Sequence, residues 1–400
     1  MKIAFFSPSW PYGQNGIITY VRNISRALHE QGHEISIITF DARGSLGYER
    51  VVPISELSAS GPLSGLLRKV LSRLCSGLAS WRDPGRAIAK ELQRLQRSGD
   101  VDVFEMEETF GFCGVVAERT DIPVIARLHG PYFLNGVYET KAEKLDPEQL
   151  RREGEAISRV ASVSAPSRQV LDATREYYGL QRQMSVIPNP VPAPPQGQTW
   201  SLERSDPDAI LFVGRTDSRK GGDLVLRVFE RLLNRRPSLR LHFVGADNGF
   251  VDADPGVTWT GYVNTRLKPE TRRQITYHGV LQPDQIAQLR PACRVTLVFS
   301  RYETFALVCA EALAAGCPLV ATSVGGIPEV VHHEITGLLA DVDDPDDLTH
   351  QVDRLLSDPG LAARLGAAGR QFCLESLQPS AVAGQTVDAY RRTLGGRRPA

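Results

Sequence analysis

Five prolines fall within eight residues at Pro188-Asn189-Pro190-Val191-Pro192-Ala193-Pro194-Pro195. Proline lacks an N–H and fixes φ, so such a run can enter neither a helix interior nor a sheet ladder. It is a stiff, extended connector. It lies near the middle of a chain of 400 residues. The chain must therefore pack as two halves, each about the length of an ordinary domain.

Both halves carry the same rhythm. The first opens on Lys2-Ile3-Ala4-Phe5-Phe6-Ser7-Pro8, a short buried strand. A loop from Trp10 to Gly16 follows, then an apolar stripe at helical spacing from Ile17 to Glu30, then a β-rich run from Glu34 to Phe40. Further strands are read at 101–104, 124–128, 160–164 and 184–187. After the prolines the pattern restarts, with strands at 209–213, 239–244, 295–299, 319–322 and 337–339 and a helix at 222–234. Strand, loop, helix, strand is the signature of a parallel, doubly wound sheet. Ligands of such sheets bind beyond the carboxyl ends of the strands, and two facing sheets would hold theirs in a central cleft.

Composition narrows the partners. Lys plus Arg number 46 and Asp plus Glu number 46, so no bulk charge draws the chain to nucleic acid. The six cysteines form no CxxC pair, which argues against a zinc or dithiol motif and for a reduced, cytoplasmic protein. The apolar stretch from Phe305 to Val324 contains Glu311 and Pro318 and reads as buried core rather than a membrane span.

Two segments after strands carry chemistry. In Val213-Gly214-Arg215-Thr216-Asp217-Ser218-Arg219-Lys220-Gly221-Gly222, glycines open the backbone before a helix, and Arg215 and Lys220 supply cations for a diphosphate. The P-loop spacing is absent. In the segment from Ser300 to Leu313, Glu303 and Glu311 stand eight positions apart. If the helix begins near Thr304, both can face one groove, where each carboxylate can accept bonds from sugar hydroxyls.

The segment continues through Gly316-Cys317-Pro318, Gly325-Gly326-Ile327-Pro328-Glu329 and Thr336-Gly337-Leu338. From about Leu211 to Tyr390 the chain resembles the retaining glycosyltransferase family 4, whose members adopt the GT-B fold of two Rossmann-like parallel-sheet domains facing a central cleft. The first half resembles the family through its opening strand, the Gly16 loop, His129 and Val186-Ile187-Pro188-Asn189-Pro190. The resemblance implies an acceptor-binding domain over residues 1–190, a nucleotide-sugar-binding domain over 191–375, and a helix over 376–400 that returns to the first.

It also implies a division of labour. Arg215 and Lys220 hold the diphosphate, beside Gly214. Glu311 takes the ribose and Glu303 the transferred sugar. Backbone groups of Thr304, Phe305, Ala306 and Leu307 face the donor sugar and phosphate. Val280 closes Tyr277-His278-Gly279-Val280, a turn that contacts the base. Gly16 lets the backbone approach the donor or acceptor, and His129 lies near the donor sugar. The implied reaction is metal-independent, retaining transfer of a hexosyl group from a UDP- or GDP-sugar, a substrate rather than a cofactor. The acceptor would be a glycan, a lipid-linked compound or a small molecule. A nucleotide-sugar epimerase and a binding-only relative are the rival readings. The first needs acid/base residues instead of an acceptor cleft, and the second is disfavoured by the presence of Arg215, Lys220, Glu303 and Glu311.

Other patterns carry less. Asp252-Ala253-Asp254 has the spacing of a metal-binding D-x-D but not its context, and His332-His333 would point apart on a helix. Gly13-Gln14-Asn15-Gly16 with Asp41 lacks the third glycine of a dinucleotide fingerprint. Residues 63–97 alternate leucines with Arg68, Lys69, Arg73, Arg82, Arg86, Lys90, Arg94 and Arg97. That is the pattern of a helix lying peripherally on the inner face of a membrane, or of a domain helix with its apolar face in the core.

Overall fold

A computed structural model of the chain describes residues 1–12, 16–54, 82–139, 145–250 and 257–395. Its contacts divide the chain into two units, Met1–Pro190 with Pro379–Ala400, and Val191–Gln378.

In the first unit, β1 (Lys2–Trp10), β2 (Glu34–Ala42), β3 (Glu49–Pro53), β4 (Val103–Glu107), β5 (Val124–Arg127), β6 (Ser162–Ala165) and β7 (Met184–Val186) form one sheet. The order is β3-β2-β1-β4-β5-β6-β7, and all pairings are parallel. Both faces of the sheet are covered, which is why its central strands are apolar at consecutive positions rather than alternating. Ile3 and Phe5 pack with Tyr20, Val21 and Ile24 of the helix Gly16–Glu30 and with Val382, Ala383 and Val387 of the helix Pro379–Gly395. Ala4 and Phe6 enter the opposite layer, with Ile88, Leu92 and Leu95 of the helix Asp83–Arg97. The apolar stripe of that helix is thus spent on the core, and its arginines pair outward, Arg86 with Asp83 and Arg94 with Glu91. Residues 63–81 of the basic amphipathic segment lie outside the described residues. No described helix is long and apolar enough to cross a membrane.

A polar cluster is buried inside this unit. The two carboxyl oxygens of Glu105 accept from Tyr20 (2.8 Å) and Tyr390 (3.0 Å). Arg127 lies over the Tyr20 ring at 4.5 Å and donates to Asn189 at 2.7 Å.

The second unit holds β8 (Asp206–Val213), β9 (Arg240–Val244), β10 (Ile275–Gly279), β11 (Cys293–Val298), β12 (Leu319–Thr322) and β13 (Leu338–Ala340), again parallel, in the order β10-β9-β8-β11-β12-β13. Val295, Leu297 and Phe299 face Val225, Val228 and Phe229 of the helix Gly222–Leu233. Val298 turns the other way, toward Cys309, Ala312 and Leu313 of the helix Leu307–Ala314.

Two sequence expectations need correcting here. Tyr277, His278 and Gly279 are not a turn but the end of β10, and only Val280 lies beyond it. The helix after Glu303 begins at Leu307, not near Thr304, because Ala306 takes a left-handed backbone (φ 60°) that a helix cannot include. Residues 246–276, longer than a simple connection requires, hold the helices Trp259–Arg266 and Pro269–Arg273. There Phe250 stacks on Tyr262 at 3.8 Å and Trp259 on Tyr277 at 4.2 Å, so the excursion adds core.

Candidate active site

Parallel strands put the chemistry-bearing loops of each unit at one sheet edge. In the second unit, β8, β9, β10 and β11 deliver residues 214–220, 245–247, 279–280 and 300–303 to that edge. Glycine is required where these loops close on one another. A Cβ on Gly245 (φ +154°) would lie 1.9 Å from the carbonyl oxygen of Gly214, and one on Gly221 (φ +69°) 1.9 Å from that of Phe299. Gly325 (φ +54°) meets the backbone of Glu303 in the same way, at 2.2 Å, and the Gly326 N–H donates to the Glu303 carbonyl at 2.8 Å. The Gly-Gly of the downstream motif is therefore a seat for the Glu303 backbone.

The side chains converge on the Glu303 carboxyl, which is only 7% exposed. The Lys220 ammonium approaches Oε1 at 2.5 Å, the Arg219 guanidinium Oε2 at 3.4 Å, and the Ser300 hydroxyl donates to Oε1 at 2.8 Å. Burial alone would raise this carboxyl; Lys220, then Arg219, overcome it and hold it below the usual carboxylate range. Arg301 ties the two loops together. It donates to both oxygens of the fully buried Asp223, at 2.9 and 2.6 Å, and to the Ser218 carbonyl at 2.7 Å, while its own N–H bonds the Arg219 carbonyl.

The remaining expected residues are placed as follows. Gly214 follows β8, its N–H on the Val244 carbonyl, and Arg215 pairs with Asp217 rather than with Glu303. Thr304 is half-buried, Phe305 and Ala306 are buried, and Leu307 opens its helix. Glu311 is more open and has a different partner, Arg290 at 2.9 Å. Glu303 and Glu311 are thus separately anchored. Val280 is exposed just past Gly279, whose carbonyl accepts from the Gly245 N–H. Arg219, Arg301, Asp223, Ser300 and Arg290 were not singled out from sequence, because each acquires meaning only through a partner brought near by the fold.

In the first unit, Gly16 is the exposed first residue of its helix and His129 follows β5, both at the carboxyl edge of that sheet. Gly13, Gln14 and Asn15 lie outside the described residues, as do Asp252 and Asp254. The His129 ring stands edge-on to Tyr20 at 5.0 Å. Burial, reinforced by Arg127, pulls the imidazole well below its usual range, so it is neutral near pH 7. Among the described residues no group of three His, Cys, Asp or Glu is disposed to hold a metal ion. The His333 ring instead accepts from the Leu339 N–H, and His332 packs on Phe372.

Comparison with known proteins follows the same two-part division. The family model of group 1 glycosyl transferases matches residues 199–372, and that of glycosyltransferase family 4 matches residues 14–193. A D-inositol 3-phosphate glycosyltransferase of Thermobifida fusca is 29% identical over 95% of this chain and 89% of its own length. Its counterpart in Nocardiopsis dassonvillei is 26% identical over 96% and 90%. Among solved structures, sucrose-phosphate synthase of Thermosynechococcus elongatus superposes with a TM-score of 0.76 at 22% identity, covering 99% of both chains. The Anabaena protein HepE in complex with UDP-glucose does so with 0.66 at 17% identity, covering 98% of this chain and all of its own.

Proposed function

The chain belongs to the group 1, family 4 glycosyltransferases, and on that premise we propose that it moves a hexosyl group from a nucleotide sugar to an acceptor hydroxyl with retention. The observation that carries this is the meeting of Lys220 and Arg219 with Glu303, 83 and 84 residues away in sequence, at the carboxyl edge of the second sheet. Such a site offers an anionic donor two complementary groups. The cations suit the diphosphate, whose leaving oxygen gains charge as the glycosidic bond breaks, and the carboxylate suits the hydroxyls of the sugar being moved. Arg215, half-buried on the same loop, adds a third cation. With this positive charge at the leaving group, the reaction proceeds without a divalent ion. The leaving phosphate oxygen takes the acceptor proton as the new bond forms on the same face of the sugar. Glu311 binds the ribose, and the neutral His129 serves the sugar.

HepE binds UDP-glucose and the named relatives act on D-inositol 3-phosphate, so these two compounds are the first donor and acceptor to try. The assay follows release of nucleoside diphosphate, with and without acceptor, over a panel of UDP- and GDP-sugars. Acceptor-dependent release is expected; epimer formation without release would mark an epimerase, and neither, a binding protein. Lys220→Ala should lower turnover by about 10²–10³, some 3–4 kcal/mol of transition-state stabilisation, in a chain that still folds but with a lowered thermal midpoint, because the buried Glu303 carboxylate keeps only Arg219 and Ser300. Full turnover in that variant would remove the diphosphate role.

A further inference from the structure

The turn His129-Gly130-Pro131-Tyr132 has three backbone N–H groups, since Pro131 has none, and buried carboxyl groups take all three. Glu108 accepts from the His129 N–H at 3.2 and 3.0 Å and from the Gly130 N–H at 2.7 Å. Glu153 accepts from the Tyr132 N–H at 3.0 and 3.1 Å, and from the Tyr178 hydroxyl at 2.9 Å. The two acids come from different elements. Glu108 directly follows β4, and Glu153 lies on the helix Pro147–Arg159. Both are almost wholly buried, at 0% and 2% exposure.

Consecutive N–H groups turned one way form a concavity that binds anions. Here the protein fills it with its own carboxyl groups. The turn is therefore no phosphate site, and its backbone is fixed from two sides. Burying two acids is costly when backbone or hydroxyl acceptors would satisfy the same donors. What the expense secures is the position of the residue that the turn carries.

We infer that Glu108 and Glu153 are positioning residues, holding the His129–Tyr132 turn so that the His129 imidazole stays edge-on to Tyr20. This rests on the reading above that His129 serves the transferred sugar. Neither acid touches the reacting atoms; both act through His129.

The experiment uses the full chain, isotopically labelled on histidine, and two readouts. The His129 ring resonance, assigned from its loss in His129→Ala, reports the turn without any substrate. Steady-state kinetics with UDP-glucose and D-inositol 3-phosphate, or the best pair from the panel, report the reaction. Glu153→Leu deletes the acceptors, and Glu153→Gln restores one of them. The Leu variant should move the His129 resonance, lower kcat at least ten-fold and leave donor KM within two-fold. The Gln variant should recover part of both effects. In the His129→Ala background, Glu153→Leu should cost less than two-fold more. An unmoved His129 resonance, or losses that multiply fully with those of His129→Ala, would overturn the inference. Wild-type turnover in His129→Ala with a resonance that Glu153→Leu still moves would fault the His129 reading instead, and would leave the clamp nothing to position. Should the Leu variant not fold, Tyr178→Phe removes one bond to Glu153 without adding a polar group. It should shift the same resonance in the same direction by less, and no shift would again overturn the inference.

Discussion

At the scale of single residues, the two glutamates are distinguished by what holds them. Glu303 is buried among Lys220, Arg219 and Ser300, whereas Glu311 is more open and pairs with Arg290. Glu311→Gln should weaken binding of donor and of free nucleoside diphosphate alike, since both present a ribose. Glu303→Gln should leave nucleoside diphosphate affinity nearly unchanged and depress turnover, because sugar contacts orient the reacting carbon. Calorimetric titration of both variants with both ligands decides it, and equal loss of diphosphate affinity in the two would refute the division. The spacing of these acids was legible in the sequence. Their geometry was not, because it was read as eight helical positions. Ala306, an ordinary helix former, gives no warning that it will adopt a left-handed backbone.

At the scale of elements, apolar runs between glycine and proline punctuation located the central strands of both sheets. The strand that escaped was β3, Glu49-Arg50-Val51-Val52-Pro53, which lies at the sheet edge with a half-exposed pattern. An edge strand has one partner and little burial, so its sequence need not be apolar. β10 is likewise at an edge, and its Tyr277-His278-Gly279 end read as a turn. The loops between strands are held by close backbone approach, and this can be tested at Gly221. Gly221 and Gly179 both have a left-handed backbone, at φ +69° and +63°, but a Cβ at Gly179 would meet open space. Gly179→Ala should therefore cost only the conformational penalty, about 1–2 kcal/mol. Gly221→Ala should cost clearly more in chemical denaturation, because the Phe299 carbonyl must also move. Equal costs would show that the loop has slack.

At the scale of the whole molecule, the first unit carries a concentration of buried acids that the sequence, read strand by strand, did not reveal. Glu107 ends β4 with one carboxyl oxygen that finds no hydrogen-bond partner among the described residues, and burial, then the neighbouring Glu108, pushes its carboxyl up to about 8. A carboxyl whose pKa is raised by folding binds its proton more tightly in the folded state. Its contribution to stability is complete below the unfolded pKa of about 4.3 and is lost as pH rises through about 8. Denaturation midpoints should accordingly fall between about pH 5 and 9, and Glu107→Gln should flatten the decline; an unchanged slope in that variant would place the proton elsewhere. The same unit has a further property, set by the helix Pro379–Gly395, which brings Tyr390 to Glu105 in its core. A ribosome makes that helix only after the 188 residues Val191–Gln378 of the other unit, roughly 10–40 s after it has passed Pro190. During that interval the nascent first sheet lacks part of one covering layer, with Val21, Ile24 and the Glu105 carboxyl short of their partners, while the second unit can already close. The order of domains along the gene is thus the reverse of the order in which they can be completed, and the early domain waits, half-clad and open to chaperones, on the last helix of the late one.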